Sequence, residues 1–386
     1  MDCRTLTARA GRRALALLTT AALVAASGCA FGAPDDVAQG KPPNLPPPAS
    51  PSTGPETPED EVGVQVLAKH LEVPWGLTFL PDGSGLFTER DSRRIFSITT
   101  GGAVEPLQTI EAAYSRGEGG LMGIAASPKY ATDKTVFIYY TTETDNRIAK
   151  LTIGSDPVPV VTGIPVSGIH NGGRIAFGPD GFLYAGTGDA AENGRSQDLK
   201  SLGGKILRMT VDGKPAPGNP YPNSLVWSYG HRNVQGLAWD EQKRLYATEF
   251  GQNRFDEVNL IQPGKNYGWP TVEGKGTDPK FVNPLVTWGT DESSPSGAGI
   301  VGDTMVVAAL RGQRLWLVPL DGKGGLAGDP RPILQGKFGR LRHAAAAPDG
   351  TIWLLTSNRD GRGEPAPDDD RIVRLLPPSA GGVSKL

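Results

Sequence analysis

A hairpin pattern that recurs along the chain limits the fold more than any other feature of the sequence. Each copy has an apolar run, a turn usually of the Pro-Asp-Gly type and a second β-rich run. The copies occupy 76–90, 123–141, 174–189, 236–250 and 344–358. The first four begin 47, 51 and 62 residues apart, a spacing typical of propeller blades with loop insertions. A further β-rich pair at 305–320 lacks the turn but lies in the remaining gap.

These six units predict an all-β fold, a six-bladed β-propeller of four-stranded antiparallel blades. About 320 residues in six units give roughly 53 residues per blade, which is enough for four strands and one long loop. The 52 glycines and 34 prolines indicate many turns and argue against an all-helical bundle. Because propeller loops meet around a central channel, we expect residues that are distant in sequence to converge there.

The N-terminal segment has the pattern of an export signal. Four arginines among the first 13 residues precede an apolar run over 14–26, which is too short for a permanent bilayer span. The small residues before Cys29 resemble the lipobox of bacterial lipoproteins, whose cysteine is lipidated. We predict a signal peptide over 1–28 and an exported cell-envelope lipoprotein anchored to the outer face of the membrane. An ordinary cleaved secretory peptide is the alternative.

The remaining boundaries follow from composition. Residues 29–61 are rich in Pro, Gly, Ser, Thr and acidic residues, so we predict a disordered tether that cannot bury a core. We expect the propeller over 62–378 and a flexible tail over 379–386. Cys3 and Cys29 are the two cysteines, so the folded part has no disulfide or thiolate metal site. The net charge of −2 gives no electrostatic reason to bind nucleic acid, and membrane contact is expected only through the lipid anchor.

Two loops carry residues suited to catalysis. His170 lies in the glycine-rich segment 168–174, where a backbone can approach a ligand closely, and an imidazole titrates near neutrality as a general base must. A solvated or hydrogen-bonding histidine is the alternative. Arg232 lies in 229–236, and a buried guanidinium there needs an anion or a carboxylate partner. The alternative is that Arg232 only forms an ion pair between blades.

Further candidates suggest an anionic ligand and a cation. Arg311, Arg340 and Arg342 would join Arg232 at one channel mouth to bind a multiply charged anion, although a solvated strand face is also open for Arg340 and Arg342. The loop 251–257 combines acidic side chains with free carbonyl groups, which suit Ca²⁺. Alternatively, the acidic residues of this loop only cap turns.

Eight segments in this order resemble the soluble pyrroloquinoline quinone (PQQ) dependent glucose dehydrogenases and aldose sugar dehydrogenases, the glucose/sorbosone dehydrogenase family. They are VPWGLTFLPDG, GEGGLMGIA, HNGGR, GTGDA, LGGKILRM, YGHRNVQG, DEVNLIQPGKNYGWP and ALRG, and the likeness covers about residues 65–376. The resemblance implies a six-bladed propeller that oxidises aldose sugars at C1 to lactones, with hydride transfer to PQQ and an electron acceptor that is unknown.

The resemblance also implies individual roles. His170 would be the general base, and Arg232, with Asn233 beside it, would lie at the reactive quinone carbonyl. The carboxylates of PQQ would be bound by arginines, namely Arg311, Arg340 and Arg342. Glu118 would belong to the cofactor pocket and Asp189 to the substrate side. Ca²⁺ would bind the backbone carbonyls of Gly251 and Gln252, and a second Ca²⁺ would lie near Glu257 and the backbone of Tyr267.

The sequence departs from the glucose enzymes at three places. Ile169 stands where they have Asp, and Arg311 stands where they have Lys. The stretch 287–301 offers only Trp288 where they place aromatic residues over the cofactor. Two other functions therefore stay open: a non-catalytic propeller lipoprotein that binds a glycan or protein partner at the cell surface, and a Ca²⁺-dependent lactone hydrolase. Convergence of the arginines on His170 in one channel would favour the dehydrogenase.

Overall fold

Residues 63–376, the part of the chain that the computed structural model describes, contain six four-stranded antiparallel β-sheets. This confirms the predicted six-bladed propeller. The predicted signal peptide, Cys29, the tether and the tail over 379–386 lie outside the described residues. The helix α1 (Tyr130–Asp133) and a 3₁₀ turn (Asn193–Ser196) are short. Within 63–376, no helix has the length and apolar character needed to cross a membrane.

The strands follow one another around the ring in chain order. The first half of the ring consists of β1 (Gly63–Ala68), then blade 1 with β2 (Pro74–Phe79), β3 (Gly85–Glu89), β4 (Arg94–Ile98) and β5 (Val104–Thr109), blade 2 with β6 (Leu121–Ala126), β7 (Thr135–Thr141), β8 (Asn146–Thr152) and β9 (Val158–Ile164), and blade 3 with β10 (Ile175–Phe177), β11 (Leu183–Gly186), β12 (Lys205–Met209) and β13 (Val226–Tyr229). The second half consists of blade 4 with β14 (Val234–Trp239), β15 (Leu245–Glu249), β16 (Phe255–Ile261) and β17 (Val286–Gly289), blade 5 with β18 (Pro295–Val301), β19 (Thr304–Ala309), β20 (Arg314–Pro319) and β21 (Arg331–Ile333), and blade 6 with β22 (Leu341–Ala346), β23 (Ile352–Thr356) and β24 (Ile372–Leu376).

The ring closes through the first described strand. β1 pairs antiparallel with β24 and becomes the fourth strand of blade 6, while β22 contacts β2 of blade 1. Blade 6 is therefore assembled from both ends of the described chain. The closure protects the edge of β24, which would otherwise expose unpaired backbone groups.

The Pro-Asp-Gly turns join the first two strands of a blade as the sequence predicts. The aspartate of each turn accepts a backbone N–H two residues later, as Asp82 does from Ser84 at 3.0 Å and Asp349 from Thr351 at 2.9 Å. The glycine between them adopts a positive φ, 83° at Gly83, where other residues are strained. The pattern is readable in the sequence because all of its interactions are local.

The hydrophobic core is divided among the six blade interfaces. Each of six buried apolar clusters joins consecutive blades, for example Phe137 of blade 2 with Leu207 of blade 3, and Leu315 of blade 5 with Leu354 of blade 6. Apolar side chains thus lie between the sheets. The channel is left for polar groups.

The β-rich pair over 305–320, which the hairpin pattern predicts to be the first two strands of the fifth blade, lies one strand further along that blade. The segment 305–320 forms β19 and β20, the second and third strands of blade 5, and β18 over Pro295–Val301 precedes them. Arg311 therefore follows the second strand of its blade and not the first. The strand β18 (PSGAGIV) was missed because small residues give it little apolar alternation.

Antiparallel pairing decides which loops can form a site. The Pro-Asp-Gly turns lie at one end of the blades, so the connections between blades and the loops from second to third strands lie at the other end. His170, Arg232 and Arg340 belong to connections between blades, and Asp189 and Gly251 follow second strands. The fold therefore brings the predicted site residues to one end of the propeller.

Candidate active site

A buried hydrogen-bonded chain fixes the imidazole of His170. Its Nδ1 lies 2.7 Å from Oδ1 of Asp189, and the indole Nε1–H of Trp269 donates to Oδ2 of the same carboxylate at 2.8 Å. Burial raises the pKa of Asp189, but the hydrogen bonds from His170 and Trp269 outweigh it and hold the pKa below its ordinary value. An ionised carboxylate only accepts, so Nδ1 of His170 carries the proton and Nε2 is left to accept one.

The backbone around His170 is equally constrained. His170 has a φ of 57°, in the left-handed region that non-glycine residues rarely adopt. Its N–H donates to Oε2 of Glu118 at 2.8 Å, which holds this conformation. Gly172 is packed so closely that a Cβ would collide with the backbone of Gly186 and Thr187. The glycines next to His170 thus serve packing as well as the approach of a ligand.

Arg232 and Asn233 lie beside this chain. The carbonyl oxygen of Arg232 accepts the N–H of Asp189 at 2.8 Å, and its guanidinium Nη1 donates to the carbonyl of Gly251 at 2.7 Å. Oδ1 of Asn233 accepts the N–H of Gly172 at 2.9 Å. Within residues 63–376, Nε of Arg232 and Nδ2 of Asn233 are buried without a hydrogen-bond partner. These donors are available to a ligand.

Arg340 and Arg342 share one carboxylate. Oδ2 of Asp360 lies 2.9 Å from Nη2 of Arg340 and 3.3 Å from Nη2 of Arg342. Burial alone would raise the pKa of Asp360, but the two guanidinium groups hold it well below the ordinary range. Arg342 also donates to Oε1 of Gln235 at 2.9 Å. The sequence predicts the two arginines together but not their carboxylate partner.

A polar cavity lies where loops from different blades meet. It is lined by Arg90, Glu118, Gln235, Phe250, Leu310, Arg342, Asp360 and Arg362. These residues come from blades 1, 4, 5 and 6 and from the connection between blades 1 and 2, so the cavity lies at the channel. Glu118 lines it and accepts the backbone N–H of His170, so the backbone of the predicted base adjoins the cavity wall.

Two predicted residues are placed differently from this cluster. Nη1 of Arg311 lies 3.5 Å from the carbonyl oxygen of Thr290, and its Nε is buried without a partner among the described residues. The neighbour Leu310 lines the cavity. Trp288 stacks on Trp316 with ring centroids 5.0 Å apart in the interface of blades 4 and 5. Trp288 is therefore a core residue and does not cover the cavity.

Two carboxylates bind the backbone N–H groups of the loop over 251–255. Oε1 of Glu273 accepts the backbone N–H groups of four consecutive residues, Gln252 to Phe255, at 2.7 to 3.2 Å. Oδ1 of Asp256 accepts the N–H of Gly251 at 2.9 Å. Since every N–H of the loop points to a carboxylate, its backbone is ordered without regular secondary structure.

A second pocket beside this loop contains three acidic side chains. It is lined by Glu249, Gly251, Glu257, Tyr267, Glu273 and four neighbours including Trp269. Burial, with the charge of Glu249 nearby, raises the pKa of Glu257 to about 8. Oδ1 of Asn259, next to Glu257, is buried without a partner in the described part of the chain. A hard divalent cation in this pocket would compensate the carboxylate of Glu257.

Side-chain ligands alone do not form a metal centre here. Over residues 63–376 no group of three or more His, Cys, Asp or Glu side chains is arranged to hold a metal ion. A cation site would therefore need backbone carbonyl or amide oxygens, as the Ca²⁺ prediction for Gly251, Gln252 and Tyr267 already requires.

Comparison with known proteins identifies the family. The family model described as glucose/sorbosone dehydrogenase matches residues 71–366, which is most of the chain. The chain belongs to the glucose/sorbosone dehydrogenase family. The family predicted from the eight segments is thereby confirmed.

Relatives of this family member include enzymes and solved structures. The PQQ-bound form of aldose sugar dehydrogenase from Streptomyces coelicolor is 51% identical, with a TM-score of 0.78, over 81% of this chain and 98% of that one. A structure of a glucose dehydrogenase described as a putative oxidoreductase from Thermus thermophilus is 43% identical, with a TM-score of 0.76, over 82% and 100%. An aldose sugar dehydrogenase of Escherichia coli is 28% identical over 78% of this chain and 91% of its own.

Several residues of the site had not been identified from the sequence of this glucose/sorbosone dehydrogenase family member. They are Arg90, Asp360, Arg362, Glu249 and Glu273. Asp360 and Arg362 lie in the RDGRG segment over 359–363, whose glycines and charges form a turn signal that could have pointed to them. The others gave no local signal, because their partners come from distant loops.

Proposed function

We propose that the chain is an exported, lipid-anchored quinoprotein that oxidises aldose sugars at C1 to lactones, with PQQ and Ca²⁺ as cofactors. The observation that carries the proposal is an imidazole oriented by Asp189, that of His170, whose backbone N–H is bound by Glu118 in the wall of a cavity lined by guanidinium groups. Family membership and the PQQ-bound relative support it. A binding protein without catalytic function would not need the buried chain from Trp269 through Asp189 to His170.

The cationic side chains around the cavity suit an anionic quinone. PQQ carries three carboxylates, and Arg340, Arg342 and Arg311 supply charge to bind them. Nε of Arg342 and Nδ2 of Asn233 are buried without partners among residues 63–376, and a ligand rich in oxygen would satisfy both. When bound, PQQ would supply the two-electron acceptor for the hydride from C1 of the sugar.

The chain itself supplies the proton chemistry. Nε2 of His170 takes the proton of the anomeric hydroxyl, which makes hydride loss from the same carbon easier. Asp189 holds the ring in the tautomer that accepts at Nε2 and stabilises the imidazolium that forms. The buried guanidinium of Arg232 provides positive charge beside these groups. Asp189 also marks the side on which the sugar would bind.

Ca²⁺ would be held by oxygen donors at the edge of the channel. The carbonyls of Gly251 and Gln252 lie in the loop that Glu273 orders, and Glu118 completes the cofactor pocket on the other side. A second Ca²⁺ would use Glu257 and the backbone carbonyl of Tyr267, where the raised pKa of Glu257 indicates an uncompensated carboxylate.

Reconstitution tests the proposal. Purified protein with PQQ and Ca²⁺ is expected to reduce an artificial dye when an aldose is added, and to yield the lactone. His170→Ala is expected to lower kcat by about 10²- to 10⁴-fold, the usual contribution of a general base. Wild-type protein that does not bind PQQ at micromolar concentration would refute the assignment. Lactone formation with an unchanged rate in His170→Ala would refute the role of His170.

A further inference from the structure

Arg362 occupies an unusual place in the central cavity. It lies in the loop between β23 and β24, outside the segments that carry the family resemblance. Its Nη1 lies 2.8 Å from Oε1 of Glu118, a residue 244 positions away in the chain. Its Nε is buried and has no partner within the described residues, and the side chain lines the cavity. The guanidinium is therefore held at the cavity wall with spare hydrogen-bonding capacity.

The other cationic groups of the cavity wall, Arg90 and Arg342, are each held by at least two side-chain hydrogen bonds. Arg90 makes a two-pronged contact with Asp91, with Nε–Oδ1 at 2.7 Å and Nη2–Oδ2 at 3.0 Å. Arg342 contacts Asp360 and Gln235. Asp360 is fixed by several donors, whereas Arg362 is held to Glu118 through Nη1 and Oε1. The Glu118–Arg362 pair is thus the one that an incoming carboxylate can most readily divide.

The two carboxylate oxygens of Glu118 bind different groups. Oε1 binds Arg362, and Oε2 accepts the backbone N–H of His170 at 2.8 Å. Burial opposes its ionisation, but the charge of Arg362 and the hydrogen bond from the backbone of His170 lower the pKa of Glu118 to about 2. The carboxylate of Glu118 is therefore charged at neutral pH, and it lines the cavity that is proposed to bind an anion.

We propose that Arg362 is a further ligand for the carboxylate groups of the anionic cofactor, and that Glu118 competes with the cofactor for it. The inference rests on the proposed quinoprotein function for the identity of the ligand. Binding of the anion would draw Arg362 from Glu118, whose other oxygen continues to hold His170. Glu118 then holds the base in place before and after the cofactor binds.

The proposal gives the two partners opposite effects. Arg362→Gln removes a cation from the cavity and is expected to weaken binding of an aromatic tricarboxylate about tenfold. Glu118→Gln removes the competing charge and is expected to tighten the same binding by about threefold or more, while kcat falls because the amide holds the backbone of His170 less firmly. A merely structural ion pair would give changes of the same sign in both variants.

Titration of the purified full protein tests these signs. Two probes are used, PQQ and benzene-1,3,5-tricarboxylate, which has the charge but no redox chemistry, and binding is followed by calorimetry. Arg362→Lys keeps the charge and is expected to recover most of the affinity. Arg147→Gln is the matched control, because it breaks a pair with Asp145 (2.7 Å) away from the cavity and should leave binding unchanged. Thermal unfolding shows that each variant is folded.

The possible results separate the inference from the proposed function. Weaker binding of either probe by Arg362→Gln with tighter binding by Glu118→Gln supports the inference. Unchanged affinity in Arg362→Gln, or weaker binding in Glu118→Gln, overturns it. Binding of the benzene tricarboxylate with these signs but no binding of PQQ supports the inference and rejects the quinoprotein function. Wild-type protein that binds neither probe overturns both.

Discussion

At the scale of single residues, the indole of Trp269 connects two functional groups of the site. Its N–H binds the carboxylate of Asp189, and its ring lies 5.5 Å from the guanidinium carbon of Arg232. The N–H stabilises the negative charge of Asp189, and the ring contacts the cation electrostatically. Trp269 therefore positions the proton-accepting side of the site without itself being a base or an acid.

Trp269→Phe keeps the ring and removes only the N–H. The carboxylate of Asp189 then loses one stabilising donor and has more negative charge to offer the protonated imidazole of His170. The acidic limb of the pH profile of kcat/KM is expected to move to higher pH by about 0.5 to 1 unit. Trp239→Phe makes the same change at an outer aromatic contact with Tyr184 and should leave the profile in place. Coincident profiles for all three proteins would contradict this role of Trp269.

At the scale of structural elements, a single carboxylate orders an irregular loop. Glu273 lies in the long connection between β16 and β17. Its carboxylate accepts four N–H groups from the loop between β15 and β16 and from the first residue of β16. The arrangement resembles the capping of a helix, because a charged acceptor satisfies successive donors that have no other backbone partner. The loop that carries Gly251 and Gln252 thus depends on a residue about 20 positions further along the chain.

Glu273→Ala removes the acceptor of all four N–H groups. We expect the backbone amides of 252–255 to exchange with deuterium at least tenfold faster, since each loses a charge-assisted hydrogen bond. The midpoint of thermal unfolding should fall by a few degrees. Asp321→Ala is the control, because Asp321 accepts N–H groups of Lys323 and Gly325 in a loop of blade 5. Exchange at 252–255 that stays at the wild-type rate would show that Glu273 does not order the loop.

At the scale of the whole molecule, the ring depends on its closing strand. β1 covers the edge of β24, and Leu67 and Ala68 join the apolar cluster between blades 6 and 1 together with Trp353. Removal of β1 would expose a row of unpaired backbone groups and part of this cluster. The stability of a propeller that closes in this way is shared by all its blades.

A chain shortened to begin at Lys69 tests this closure. Compared with a chain that begins at residue 62, its midpoint of thermal unfolding is expected to fall by 10 °C or more, on the order of the effect of losing a strand and its buried side chains. Light scattering should show association through the exposed edge of β24. Equal stability and a monomeric state in both chains would show that β1 contributes little to the ring.

Local patterns explain how much of the fold could be predicted. The Pro-Asp-Gly turns depend on contacts between residues two positions apart, and the strands on alternation along a few residues, so five of the six hairpins were found. Blade 5 was misplaced by one strand because β18 is composed mainly of small residues. The family was recognised because short segments such as HNGGR and YGHRNVQG keep their order and residues. Export and lipidation at Cys29 stay predictions.

The sequence by itself determined the repeat, the number of blades and the histidine and arginines from which a site could be built. Only the tertiary structure decided which of these charges meet. Arg340 and Arg342 share Asp360, Glu118 pairs with Arg362, and Trp288 is a core residue. The physical reason is that hydrogen bonds and ion pairs act over about 3 Å in space. Separation along the chain therefore says nothing about them until the ring has closed.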